Sequence, residues 1–193
     1  MSHFLIFIFL FSFSLPALSQ NTAFPGAVSL TAGAKLLFKN VKTKIPDADK
    51  NFLFRQTGLS LAADKSSFVI SDMPVETGVF PTDMNNDGKE EIFIVLNSAA
   101  VYGNVGSNFL LFIKNASGAY NLQKEASGGL PVIFASKNMG YNDLMIGGPG
   151  FLFPVYRWNG TKYIPYKKIK DEALSNTKSF EIEEFSAAYT SKM

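Results

Sequence analysis

The chain of 193 residues carries a formal net charge of +2, no cysteine and a single histidine, His3. That composition excludes disulfides, thiolate nucleophiles, iron–sulfur ligation, serine–histidine triads and histidine-bound zinc or copper. Its charges alternate along the chain, basic at Lys35–Lys44 and Lys162–Lys170, acidic at Asp83–Glu91 and Glu181–Glu184. Nothing in that distribution resembles the clustered basic face that a nucleic acid requires.

The first residues read MSHFLIFIFLFSFSLPALSQ, a short polar start, an apolar run from Phe4 to Leu15, and small residues around Ala17 and Ser19. This pattern predicts a signal peptide over residues 1–19, cleaved before Gln20, with His3 standing where a basic residue is usual. Ser12, Ser14 and Pro16 break the run before it reaches the roughly 20 apolar residues of a membrane span. The expectation is an exported protein, periplasmic or secreted. It is not a lipoprotein, because no cysteine stands at the cleavage site. Residues 20–193 are then expected to form a single β-rich domain with no transmembrane helix. A disulfide-free exported chain suits a bacterial periplasm or secreted milieu.

In chain order, Asn21–Ala34 reads as a loose segment and Lys35–Lys42 as a strand. Pro46 opens a helix running to about Thr57, with Asp47 and Asp49 suited to its positive end and Gly58 placed to stop it. Short strands follow at Leu59–Leu61, Ser67–Ile70 and Val75–Phe80, the first two separated by a turn at Asp64–Ser66. From Phe80 an internal repeat appears, covering residues 80–125 and 132–168. Asn86-Asp87-Gly88 leading through Glu91 into Ile92–Val95 matches Asn138-Met139-Gly140 leading through Asp143 into Leu144–Gly147. Each copy continues into a hairpin: Leu110–Lys114 turning through Asn115–Gly118 into Ala119–Leu122, and Val155–Trp158 turning through Asn159-Gly160 into Lys162–Tyr166. Asn159 and Gly160 both tolerate the positive φ of a primed turn. Asp171–Met193 reads equally well as a last strand or as a short helix with a frayed end. The fold class is therefore mainly β with a short N-terminal helix, an α+β arrangement of antiparallel sheets.

The stretch Thr82–Val95, TDMNNDGKEEIFIV, carries the clearest chemistry. Calcium takes six to eight hard oxygen ligands, which a short loop supplies when alternate side chains turn inward. Asp83, Asn85 and Asp87 occupy alternate positions, Gly88 permits the sharp turn, Lys89 offers its backbone carbonyl, and Glu91 returns as a carboxylate. Glu90 replaces Glu91 if the register differs. The twelfth position of an EF-hand loop counted from Asp83 falls on Ile94, so the loop leads into a strand rather than a helix. The alternative is an Asn/Asp/Gly turn held by side-chain-to-backbone bonds. The repeat copy has Ala135, Lys137 and Met139 at the three ligand positions and is expected to bind no metal, with Asp143 structural.

Asp83 through Ile92 resembles the calcium loop of FG-GAP repeats, found in integrin α-chains and many bacterial exported proteins. Asp143–Gly150 resembles the strand and glycine-rich segment that ends such a repeat. Over about residues 80–166 the resemblance implies calcium held by Asp83, Asn85, Asp87, the Lys89 carbonyl and Glu91, and blade-like antiparallel sheets. Two modules are too few for a complete seven-bladed propeller.

Other features offer less. Gly147–Gly150 lacks the following helix and lysine–serine pair of a phosphate loop. In Gly150–Tyr166, GFLFPVYRWNGTKYIPY, both strand faces are apolar, as in a central strand covered on both sides. Alternatively, Tyr156, Trp158, Tyr163 and Tyr166 form an exposed aromatic platform for a sugar or peptide, with Arg157 as a polar anchor. Asn115-Ala116-Ser117 and Asn159-Gly160-Thr161 match glycosylation acceptors, which matter only in a eukaryotic secretory pathway. Asp72, Glu76, Glu91 and Asp143 are the candidates for a glycosidase-like carboxylate pair. The resulting expectation is a non-catalytic, calcium-binding envelope module that engages a glycan or protein partner or serves a structural role. The alternative is a hydrolase acting on glycan or phosphoester through a carboxylate pair or the calcium.

Overall fold

A computed structural model describes residues 28–148 and 150–193. The predicted leader, residues 1–19, lies outside the described residues. The chain is mainly β, with 42% strand against 22% helix, which places it in the expected α+β class. Among the described residues no helix is long and apolar enough to cross a membrane.

Two short helices come first, α1 (Ala32–Leu37) and α2 (Asp47–Gln56). The strand expected at Lys35–Lys42 is instead the second half of α1 and the turn after it. The Thr31 hydroxyl accepts from the Ala34 amide and starts the helix. Gly33 lies against the Phe54 ring with no room for a Cβ. The helix thus depends on contact with α2, which the local pattern does not reveal. In α2, Pro46 is the N-cap and Gly58 follows the C-cap at φ 70°, close to the expected span.

The first sheet is an antiparallel meander of six strands in chain order: β1 (Ser60–Leu61), β2 (Phe68–Ile70), β3 (Met73–Thr82), β4 (Glu91–Asn97), β5 (Ser107–Lys114) and β6 (Tyr120–Ser127). A four-residue helix, α3 (Ala99–Tyr102), links β4 to β5. The second sheet has five strands: β7 (Pro131–Asn138), β8 (Tyr141–Ile146), β9 (Leu152–Trp158), β10 (Tyr163–Lys170) and β11 (Ser179–Glu181), in spatial order β10-β9-β8-β7-β11. After β10 the chain passes through α4 (Asp171–Leu174) to β11 on the opposite edge, then ends in α5 (Ile182–Thr190). The C-terminal segment therefore supplies both a strand and a helix.

Alternation of side chains across a strand gives each sheet two faces. In β4, Ile92, Ile94 and Leu96 pack with Leu37, Leu53 and Phe68 under the two N-terminal helices. Phe93 and Val95, with Phe109, Leu111 and Ile113 of β5, face the second sheet and meet Ile133, Leu144, Ile146, Trp158 and Tyr163. Full burial of such side chains stabilises by roughly 1.5–3 kcal/mol each, and this inter-sheet layer holds the two sheets together. The outer face of the second sheet buries Phe134, Met145 and Val155 beneath Leu174, Ile169 and Phe153.

The residues of the expected repeat fall in two four-stranded meanders, β3–β6 and β7–β10. Their first turns differ. Met139 and Gly140, at φ 49° and 89°, form a tight two-residue turn between β7 and β8, whereas the eight residues Asp83–Glu90 join β3 to β4. The primed turn expected at Asn159-Gly160 is not formed, because only Gly160 has positive φ. Asn159 instead caps the loop with its side chain, accepting from the Thr161 and Lys162 amides at 3.0 and 2.9 Å.

Candidate metal centre

The loop after β3 turns its alternate side chains inward. The Asp83 carboxylate accepts from the amides of Asp87 (3.0 Å) and Gly88 (3.1 Å). Asn85 Oδ1 accepts from the Asp87 amide at 3.1 Å, and Asp87 Oδ1 from the Lys89 amide at 2.8 Å. Two left-handed residues, Asn86 (φ 59°) and Gly88 (φ 79°), make this winding possible; asparagine and glycine tolerate that region best. The side-chain oxygens of Asp83, Asn85 and Asp87 thus sit on a tightly wound loop, each already accepting from the loop's own amides and keeping further lone pairs.

At the base of the loop Glu91 is 2% exposed. Its carboxylate accepts from the Met84 amide at 2.7 Å and, more weakly, from the Thr82 hydroxyl at 3.5 Å. Burial pushes its pKa up to about 8, against the Met84 bond that favours the anion, and the charges of Asp83 and Asp87 add to the rise. The two glutamates differ in their surroundings. Glu90 accepts from the Thr43 hydroxyl, the Lys44 amide (3.0 Å) and the Tyr189 hydroxyl (3.2 Å), so it ties the N-terminal segment and α5 to the loop. Among the described residues no three Asp, Glu, His or Cys side chains gather as a metal-binding group. Asp83, Asp87 and Glu91 are thus not gathered as one ligand set.

The loop docks on the second meander through residues that sequence reasoning missed. The Asn85 amide donates to the Tyr141 hydroxyl at 3.0 Å, and the Lys137 amine donates to the Met84 carbonyl. Met84 itself is fully buried in the inter-sheet core. An apolar residue between two ligand positions was the only available signal.

The second meander answers the same electrostatic problem in another way. Asp143, on β8, aligns in the sequence with Glu91 on β4 and is 1% exposed, but it lies with Met145 on the outer face of its sheet, whereas Glu91 lies with Phe93 on the face between the sheets. Arg157 grips it with two bonds, 2.9 and 2.7 Å, and the Ser136 hydroxyl adds a third at 2.7 Å. Burial raises the Asp143 carboxyl, but these donors outweigh it and hold the pKa below its ordinary value. In the β8–β9 ladder Leu144 lies opposite Tyr156, so the next pair outward is Asp143 and Arg157. In the β4–β5 ladder Ile92 lies opposite Phe112, so the next pair is Glu91 and Ile113. Where one meander has a guanidinium, the other has a buried isoleucine.

The aromatic platform expected from Tyr156, Trp158, Tyr163 and Tyr166 does not form. Trp158 and Tyr163 are buried between the sheets, packed with Tyr141 at ring distances of 4.6 Å (Trp158) and 6.5 Å (Tyr163). Tyr156 is half-buried on that same inward side, under the Lys124 amine. Tyr166 is the extra residue of a bulge in the β9–β10 ladder and lies on the outer face, its ring centre 3.5 Å from the Arg157 guanidinium. Arg157 is therefore the partner of Asp143 rather than a ligand anchor. The doubly covered strand is also only partial, since Leu152, the first residue of β9, and Phe151 before it are exposed.

Nor do the candidate acids pair. Glu76 lies opposite Asn97, whereas Glu91 lies opposite Thr82. Six residues of β3 separate these points, about 20 Å at roughly 3.3 Å per residue. Asp72 sits beyond Glu76 at the β2–β3 turn, and Asp143 is committed to Arg157. No protein-family model, curated protein or solved structure matches the chain.

Proposed function

We propose that this protein is an exported calcium-binding module of FG-GAP-like architecture that works by binding rather than catalysis. One observation carries the metal reading: Glu91 is buried with isoleucine as its cross-strand neighbour and no cationic side chain bonded to it, whereas the acid that aligns with it in the second meander is salt-bridged to Arg157. A buried carboxylate without a cationic partner is costly. Where the second meander has a two-residue turn, the first has an eight-residue loop that carries Asp83, Asn85 and Asp87 and leads into that glutamate. A calcium ion bound by these side chains, the Lys89 carbonyl and Glu91 would supply the missing positive charge and tie the loop to β4. The hard oxygen donors suit calcium, and the varied ligand types suit its flexible coordination better than the strict octahedron of magnesium.

The role of the ion in this reading is structural. Glu91 is closed off by Met84 and Thr82, and none of the candidate acids stands beside it as a catalytic partner. Tandem meanders with the loop at the first turn also support the FG-GAP-like assignment, and the partner to be bound is a glycan or a protein. Isothermal titration calorimetry of calcium into the chelator-treated protein tests the site. One equivalent should bind, with the heat lost in Asp83→Ala; heat that persists in that variant, or none in the parent, contradicts the reading. Export is tested by N-terminal sequencing of the protein from a periplasmic extract, which should begin at Gln20.

A further inference from the structure

A second feature of the inter-sheet boundary is a cleft of about 660 Å³, within the roughly 300–1,000 Å³ of small-ligand sites. It opens where the β5–β6 hairpin of the first meander faces the β7–β8 turn and the β9–β10 hairpin of the second. Tyr141, Trp158 and Ile113, each less than a tenth exposed, line it from the core, and Asn121 and Gln123 of β6 line its wall. Met139, 68% exposed, forms a lip against Gly160.

The chemistry of this lining is restrictive. No carboxylate contributes to it, and its one lysine, Lys114, is held by Asp49 at 2.9 Å and lies over the Tyr120 ring. A phosphate or carboxylate ligand would find no free cation, and an amine no anion. Among the described residues the Asn121 and Gln123 side chains have no hydrogen-bond partner within the protein. Each amide both donates and accepts, which matches hydroxyl groups that do the same. The aromatic edges and the thioether of Met139 offer apolar contact for the C–H face of a ring.

We propose that this cleft binds a neutral saccharide of one or two rings, with Asn121 and Gln123 recognising hydroxyls and Trp158, Tyr141 and Met139 contacting the ring face. This rests on the non-catalytic binding reading above and supplies its ligand class. The absence of carboxylates from the lining fits binding without hydrolysis, which needs two of them.

Trp158 is the only tryptophan in the chain, so its fluorescence reports directly on the cleft. The full-length protein is titrated with cellobiose, maltose, mannobiose and diacetylchitobiose, and with glucuronic acid as a charged control. At least one neutral sugar should give a saturable change with a dissociation constant on the order of 1 mM or tighter. Asn121→Ala with Gln123→Ala should weaken it by about tenfold or more while leaving the thermal melt unchanged. Glucuronic acid should bind no better than the neutral sugars. No saturable change with any of the four neutral sugars, repeated by calorimetry, would overturn the proposal, as would binding that the double variant leaves intact. Calcium-dependent melts of the same preparation report separately on the metal site. A null sugar titration on protein that responds to calcium therefore refutes the saccharide cleft alone.

Discussion

Glu91 in the first meander and Asp143 in the second align in the sequence and are both buried, but they sit on different sheet faces and have opposite electrostatic surroundings. Asp143 has its cation within the fold, three donors and a lowered pKa. Glu91 has one strong amide donor, two neighbouring acids and a pKa raised to about 8. A buried acid in a β-meander can thus be neutralised from the neighbouring strand or, in our reading, from solution. The second route requires a longer turn to supply the other ligands, and the first meander has one.

The largest effect should come from breaking the intramolecular solution. Arg157→Ala leaves Asp143 buried without its partner and should cost roughly 3 kcal/mol in urea unfolding. Adding Asp143→Asn should recover much of that loss, because no buried charge then remains. If the single and double variants are equally unstable, Arg157 acts through packing rather than charge.

Glu91→Gln makes the converse test. With chelator at pH 7 it should raise stability by up to about 3 kcal/mol, since a neutral amide replaces an acid that prefers its protonated form. The same substitution should abolish the response to calcium. A variant that is destabilised with chelator and still responds would show that Glu91 is not where the charge conflict lies.

The pH dependence separates the two sites by sign. The folded pKa of Glu91 is raised, so the stability it contributes is full below about pH 4.5, its unfolded value, and is lost as pH rises through about 8. For Asp143 the folded pKa is lowered, so its contribution is present above 3.8 and lost as pH falls through the folded value. Melts from pH 4 to 9 with chelator should therefore lose stability toward alkaline pH, and calcium should suppress that loss. A calcium effect that is constant across this range would argue against Glu91 as a ligand. The smallest effect is expected for Lys89→Ala, within about 0.5 kcal/mol with or without calcium, because only its carbonyl is used.

Much of this arrangement was legible in the sequence where the cause is local. The loop, the strand after it, α2 and the hairpins follow from alternation, glycine placement and short polar motifs. What was not legible depends on contacts between distant segments. Leu36 and Phe38 imitate a strand, whereas Thr31 and the fit of Gly33 against Phe54 make α1 a helix. Asn159-Gly160 carried the stronger turn signal, but the two-residue turn formed at Met139-Gly140. The Ile113–Arg157 contrast was hidden because which residue stands opposite each acid is set by strand pairing across connections of different length. The aromatic side chains of Gly150–Tyr166 were visible as a group, but which face each took was decided by the inter-sheet packing and the bulge beside Pro165.

Thermal unfolding in excess calcium, in magnesium and in chelator, for the parent and for Asp87→Ala, tests the central claim most directly. We expect a calcium-specific rise in the parent, about 1.4 kcal/mol when free calcium is tenfold above its dissociation constant, and none in the variant. Identical melts of the parent in all three conditions would contradict the calcium site and leave Asp83–Glu90 as a polar turn.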